Sequence, residues 1–203
     1  MEKKIDLRGL VCPEPVLRTK RLLDDASIEK IEAMVDSEVN VRNLTRLASS
    51  QKVSMTSSQE GDHFRVVIKR GEIEPQSRPS AQSTEAPSRG EAVGDVVFIK
   101  SDTFGEGDRD FSINLLNVFV QTIKDSGHTP RAILMANTGV RLMDPDGTVR
   151  AVLDELREKG CEVLACGLCV DYYGLKGKIP VEQITNMFSI VEYLMSADKV
   201  VSP

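Results

Sequence analysis

Asp6-Leu7-Arg8-Gly9-Leu10-Val11-Cys12-Pro13-Glu14-Pro15-Val16-Leu17-Arg18-Thr19-Lys20 is the stretch on which the reading of the first part of this chain turns. The strand-like run Lys4–Arg8 leads into it, and the amphipathic run Val16–Leu23 leads out. Proline is tolerated at the first helical position, because its missing N–H would have no partner there. The spacing therefore puts Pro13 at the start of a helix and Cys12 where an N-cap would sit. Free backbone N–H groups and the positive dipole end of a helix favour a thiolate, and Arg8 lies nearby in sequence, so the Cys12 thiol is expected to titrate below the ordinary thiol range. An accessible thiolate is a nucleophile or a sulfur-bearing group. A cysteine before a proline is, however, also an ordinary small residue at a turn.

Working outward, the first 73 residues read as strand (4–8), helix (13–26), strand (30–36), helix (38–50), strand (53–58) and strand (63–70). Val39, Val41, Leu44, Leu47 and Ala48 recur near helical spacing. Phe64, Val66 and Ile68 alternate with Arg65 and Lys69, and Val67 breaks the alternation. One buried and one solvated sheet face predict a two-layer βαβαββ sandwich.

Residues 74–93 hold three prolines, many small polar residues and no aromatic. Such a composition cannot bury enough surface to offset chain entropy, so a flexible linker is expected. Beyond it the pattern changes. Val96-Val97-Phe98-Ile99 is a continuous apolar run, as in a strand covered on both faces. Helix 111–126, strand 132–136, helix 147–159, strand 163–165, helix 181–196 and strand 200–201 follow, with a fifth strand to be sought near Leu168–Val170. Alternating strands and helices predict a three-layer α/β/α domain, 94–203, with a mostly parallel sheet.

In such sheets, sites form beyond the carboxyl ends of the strands. Three loops fit: Ser101–Asp108, Asn137–Val140 and Cys166–Cys169. Gly105-x-Gly107 lacks the third glycine of a dinucleotide loop, and Asp102, Glu106, Asp108 and Asp110 would repel an anion, so its glycines are assigned to backbone geometry. Cys166-x-x-Cys169 admits three readings. It could be half a zinc site, although no second Cys-x-x-Cys exists and His63 and His128 are the two histidines. It could be a redox dithiol, or inert packing. Cys161, at the opposite end of the same strand, is expected to be structural.

The chain has 203 residues, 40% hydrophobic and 4% aromatic, with no tryptophan. Its net charge is −5: residues 1–73 carry 13 basic and 12 acidic side chains, and residues 95–203 carry 11 and 16. Neither part is a basic patch, so nucleic-acid binding is not expected. The charged start MEKKIDLRG has no apolar signal core, and no apolar run is long enough to span a membrane. A cytoplasmic location is expected, where four cysteines serve packing, metals or sulfur chemistry rather than structural disulfides.

The motif from Asp6 to Lys20 resembles the signature of the small TusA or SirA sulfur carriers. The resemblance continues through Val35-Asp36-Ser37 and Asn43-Leu44-x-Arg46-Leu47-Ala48, with Arg42-Asn43 in place of the usual Asn-Val order. It covers residues 1–73 and implies that Cys12 carries a persulfide sulfur, supported by Arg8, Pro13 and Pro15. Residues 95–203 resemble the DsrE-type sulfur-transfer fold. The features are Gly105-x-Gly107-Asp108, Phe111-Ser112-x-x-Leu115-Leu116-x-x-Phe119, Asn137-x-Gly139-Val140, Leu164-x-Cys166-Gly167-x-Cys169 and Thr185-Asn186-Met187, with Gly174 eight residues after Cys166. The joined architecture resembles YedF-type proteins, a family associated with selenium metabolism.

These resemblances imply a carrier that receives sulfur or selenium on Cys12 from a donor such as a cysteine desulfurase. Cys166, with Cys169 as resolving partner and Asn137 and Gly139 in support, would pass it to an acceptor protein or release it reductively. No cofactor or metal is implied, and homo-oligomers through the second domain are. A thiol-based regulatory or interaction protein remains the alternative. RNA binding, which a βαβαββ sandwich can serve, is disfavoured by the near-neutral first part.

Overall fold

Alternation of apolar and polar residues builds the first sheet. In the computed structural model, which describes residues 1–11, 13–71 and 94–203, the chain divides into two compact units, Met1–Glu91 and Ala92–Pro203. The proposed linker, 74–93, lies outside the described residues.

The first unit runs β1 (Glu2–Asp6), α1 (Glu14–Asp24), β2 (Lys30–Val35), α2 (Glu38–Ser50), β3 (Ser54–Glu60) and β4 (His63–Lys69). Its sheet order is β1-β2-β4-β3. β1 and β2 are parallel and the other pairs antiparallel. Ile31, Ala33 and Val35 are buried and alternate with half-buried Lys30, Glu32 and Met34. Ile31 lies opposite Ile68 and Ala33 opposite Val66, so one face forms a continuous apolar strip. Val16 and Leu23 of α1 and Val41, Leu44 and Leu47 of α2 are buried with it. Val67, which breaks the sequence alternation, pairs with Glu32 on the other face and is half-buried there. α2 starts at an N-cap serine, Ser37, whose side chain accepts the Asn40 N–H.

The second unit runs β5 (Val96–Ile99), α3 (Arg109–Asp125), β6 (Ala132–Met135), a 3-10 turn (Asn137–Met143), α4 (Arg150–Glu158), β7 (Glu162–Cys166), α5 (Gly167–Tyr172), β8 (Ile184–Thr185), α6 (Met187–Ser196) and β9 (Val200–Val201). The five strands are all parallel, in the order β8-β7-β6-β5-β9. Every residue of β6 is buried, as expected for a strand covered on both faces. Val96, Leu134 and Leu164 cluster with Ile190 and Tyr193 of α6 on one face. Ile133, Met135 and Val163 alternate with these and face the other side, where α3 packs on α4 and α4 on β7.

Two expectations for this unit are corrected. Leu168–Val170 is not a strand but part of α5. The fifth strand is β8, which interrupts the helix expected over 181–196. Ile184 and Thr185 pair with Ala165 and Cys166, and α6 then starts afresh because Asn186 caps it by accepting the Ser189 N–H. α3 begins two residues earlier than its periodicity indicates, because the Asp108 carboxylate accepts the Phe111 N–H at 2.9 Å.

Candidate functional site

In the first unit, the helix opens one residue later than its prolines predict. Pro13 is the N-cap of α1, and its carbonyl accepts the Leu17 N–H, while Glu14 donates to Val11 in a tight turn. Pro15, not Pro13, therefore occupies the first turn of the helix, where it is buried. Cys12 lies outside the described residues. Of its chain neighbours, Val11 is 67% exposed and Pro13 is half-buried.

The loop leading to this point is tied down from two sides. Asp36 accepts the Gly9 N–H at 2.8 Å and the Asn40 side-chain amide at 2.9 Å, linking the loop to the start of α2. Gly9 has φ +70, a conformation that glycine adopts without penalty. Arg8 grips Asp6 in a bidentate pair, at 3.0 and 2.8 Å. Those hydrogen bonds hold the exposed Asp6 carboxyl down at about 2, and the Arg8 guanidinium is correspondingly engaged with Asp6.

In the second unit, β5, β6 and β7 deliver their loops to one end of the sheet. Cys166 is the last residue of β7 and the N-cap of α5, and is only 1% exposed. Cys169 sits one turn into α5 and is half-buried. Both are free thiols, three residues apart at the start of one helix, a spacing that puts side chains on the same face. Asn137 opens the turn after β6 with φ +49, a left-handed conformation that asparagine tolerates better than most residues. In that conformation its backbone N–H donates to Cys169 Sγ at 3.1 Å. Burial pushes the Cys169 thiol up, the Asn137 N–H opposes this, and the neighbouring Cys166 adds to the rise.

Asn137 is itself held. Tyr173, which follows α5, donates its hydroxyl to Asn137 Oδ1 at 2.6 Å. The Arg141 guanidinium lies 5.0 Å from the Tyr173 ring centroid. Arg141 and Arg109 both bind Asp102 Oδ2, at 3.2 and 2.7 Å. Burial works to raise Asp102, but the hydrogen bonds from Arg109, Arg141 and Thr138 outweigh it and hold the carboxyl below its ordinary range. All three loops thus meet in one network running from Asp102 to Cys169. Gly139 makes the meeting possible, since a Cβ there would fall 2.5 Å from the Ile99 carbonyl oxygen.

The structure thereby brings Cys166, Cys169, Asn137 and Gly139 to the same end of the sheet. Tyr173, Arg141, Asp102 and Arg109 were missed. Tyr173 lies four residues after Cys169, so helical spacing could have suggested that it shares the cysteine's face. Asp102 and Arg141 carried no such signal, since only the sheet brings their loops together. Gly105 and Gly107 both adopt positive φ, in keeping with a role in backbone geometry. Cys161 is buried, and burial pushes its thiol up to about 12, which leaves it unreactive. Among the described residues, no group of three or more His, Cys, Asp or Glu side chains is arranged to hold a metal ion. Among the same residues, no helix is long and apolar enough to cross a membrane.

Comparison with known proteins finds a named family in the first unit. The family model described as sulfurtransferase TusA matches residues 3–70. A candidate sulfur carrier protein of Methanocaldococcus jannaschii is 34% identical over 70 residues, which is 34% of this chain and 93% of that protein. The crystal structure of a SirA-like protein from Desulfitobacterium hafniense shares 27% identity over 34% of this chain and 99% of its own, with a TM-score of 0.32. A protein of unknown function from Methanobacterium thermoautotrophicum matches 54% of this chain and 97% of its own at 17% identity and a TM-score of 0.40. The ychN protein of E. coli matches 55% of this chain at 15% identity, also with a TM-score of 0.40.

Proposed function

Because the chain belongs to the TusA sulfurtransferase family through residues 3–70, we propose that it is a chalcogen carrier loaded on Cys12, with the Cys166–Cys169 dithiol as its second station. The observation that carries this is the family match over the segment that holds Cys12-Pro13-Glu14-Pro15. Sulfur carriage implies a donor protein and an acceptor protein. A cysteine desulfurase suits the first role, because its persulfide can exchange with a thiol at no redox cost. The donor's terminal sulfur is attacked by the Cys12 thiolate, the donor leaves as a thiol, and Cys12 becomes a persulfide. Selenium follows the same chemistry as a selenosulfide.

The second unit adds to this reading as a DsrE-type module. Its support is the paired thiols at the carboxyl end of β7 and the N–H that Asn137 directs at Cys169. Domain limits of 1–73 and 94–203 and a cytoplasmic site of action complete the proposal. Assembly into homo-oligomers is supported by the exposed apolar side chains Phe111, Leu115 and Val118, which recur along α3.

The test is direct. The intact protein is incubated with a cysteine desulfurase and cysteine, then digested and weighed. A peptide carrying Cys12 heavier by one sulfur atom is expected, and Cys12→Ser should lose it while keeping the fold. Disulfide or sulfenate at Cys12, with no sulfur adduct, would instead indicate a thiol sensor. Repeating the loading with selenocysteine in place of cysteine decides between sulfur and selenium.

A further inference from the structure

The two thiols of the second unit are not equivalent, and their geometry gives them an order. We propose that Cys169, not Cys166, accepts the chalcogen, and that the buried Cys166 then expels it as hydrosulfide or hydroselenide, so that this unit is a reductive outlet rather than a second relay. The inference rests on the carrier function proposed above and reverses the order that the cysteine at the strand end would suggest.

Three observations converge. Displacement at sulfur needs the incoming donor in line with the attacking thiol, so the accepting sulfur must be reachable. Cys166 is 1% exposed and Cys169 is half-buried. The Asn137 N–H points at Cys169 Sγ, where it stabilises negative charge on the attacking thiolate. The Tyr173 hydroxyl on Asn137 Oδ1 holds that donor in its left-handed conformation. Finally, Cys166 is the N-cap of α5 and Cys169 its third residue, a spacing that puts both thiols on one face of the helix start, so a second nucleophile stands beside the inner sulfur of any adduct formed there.

The chemistry balances in two steps. The Cys169 thiolate attacks the terminal sulfur of a persulfide R–S–SH. R–SH leaves, Cys169–S–SH remains, and nothing is oxidised or reduced overall. The Cys166 thiolate then attacks Cys169 Sγ. The S–S bond to the terminal sulfur breaks, HS⁻ departs with the electron pair, and a Cys166–Cys169 disulfide forms. Two thiols are oxidised and one sulfane sulfur is reduced to sulfide. An external dithiol reductant returns the disulfide to two thiols by exchange.

The experiment loads the intact protein with one equivalent of glutathione persulfide, whose leaving group is a thiol rather than sulfide, maps adducts on each cysteine and measures released sulfide. Cys166→Ser should hold a stable sulfur adduct on Cys169 and lose sulfide release. Cys169→Ser should carry no adduct on Cys166 and release no sulfide. Since substitution at buried Cys166 could impair folding, the wild-type protein is also quenched before one turnover, when the adduct should be found on Cys169. An adduct on Cys166 in the Cys169→Ser protein or in the early quench overturns the order. Sulfide release that persists without Cys166 overturns the expulsion step. If Cys12 also fails to load from its donor, the carrier function itself falls, and this inference with it. If Cys12 loads while Cys169 stays bare in the Cys166→Ser protein, only the inference falls.

Discussion

Tyr173 shows how far from the sulfur a residue can sit and still set its chemistry. Its hydroxyl fixes Asn137, and the Asn137 N–H is the interaction that opposes the rise of the Cys169 thiol caused by burial. Removing the hydroxyl should free that donor. Tyr173→Phe, which keeps the ring under Arg141, should therefore move the midpoint of Cys169 alkylation to higher pH. An unchanged midpoint would mean that Asn137 holds its conformation unaided. In the wild type, sulfur acceptance by Cys169 should increase with pH beyond the ordinary thiol range, since only the thiolate attacks. The opposite sign applies at Asp6, whose carboxyl is held at about 2 by Arg8. Its folded-state value lies below the unfolded one, so its contribution to stability is present above the ordinary carboxylate range and disappears as pH falls toward about 2. NMR titration of the Asp6 carboxyl should show that low midpoint, and Arg8→Ala should raise it part of the way to the ordinary range, since the backbone N–H of residue 8 still donates to Asp6.

At the scale of elements, Gly139 is the tightest point in the site. Its Cβ position lies 2.5 Å from the Ile99 oxygen, and that atom belongs to a strand carbonyl that already accepts the Ala136 N–H. Neither side can give way cheaply. Gly139→Ala should lower stability by about 1–3 kcal/mol, the usual range for overpacking, and should displace the Asn137 turn. A chemical denaturation midpoint measures the first effect, and the rate of Cys169 alkylation measures the second. The elements also show how much the sequence disclosed. Strands β5, β6 and β7 were legible because unbroken apolar runs leave few alternatives. The helix expected over 181–196 was not, because a strand of two residues, Ile184 and Thr185, is too short to show an alternation and only pairing with β7 makes them a strand. Of the site, the cysteines and the Asn137–Gly139 loop could be read directly. The Asp102–Arg141–Tyr173 support could not, since it exists only where separate loops converge.

For the whole molecule, the exposed stripe on α3 carries the expectation of self-association. Phe111, Leu115 and Val118 point outward together, and apolar side chains spaced this way along one helix suit burial against another copy. Val118→Asp should reduce the mass seen by analytical ultracentrifugation. A wild-type chain that sediments as a monomer would remove the oligomer from the proposal.

The strand pairings have one more consequence, and it concerns time. Every strand of the first sheet finds its partner within residues 2–69, whereas β5, which opens the second sheet, pairs with β9 at residues 200 and 201. On a ribosome the chain emerges from its N-terminus. The Cys12 unit can thus complete its sheet while the later strands are still being translated, and β5 must wait about a hundred residues for its outer neighbour. A nascent polypeptide arrested in that interval would display a finished sulfur carrier beside an unfinished dithiol module with one open β5 edge, the kind of surface that chaperones engage.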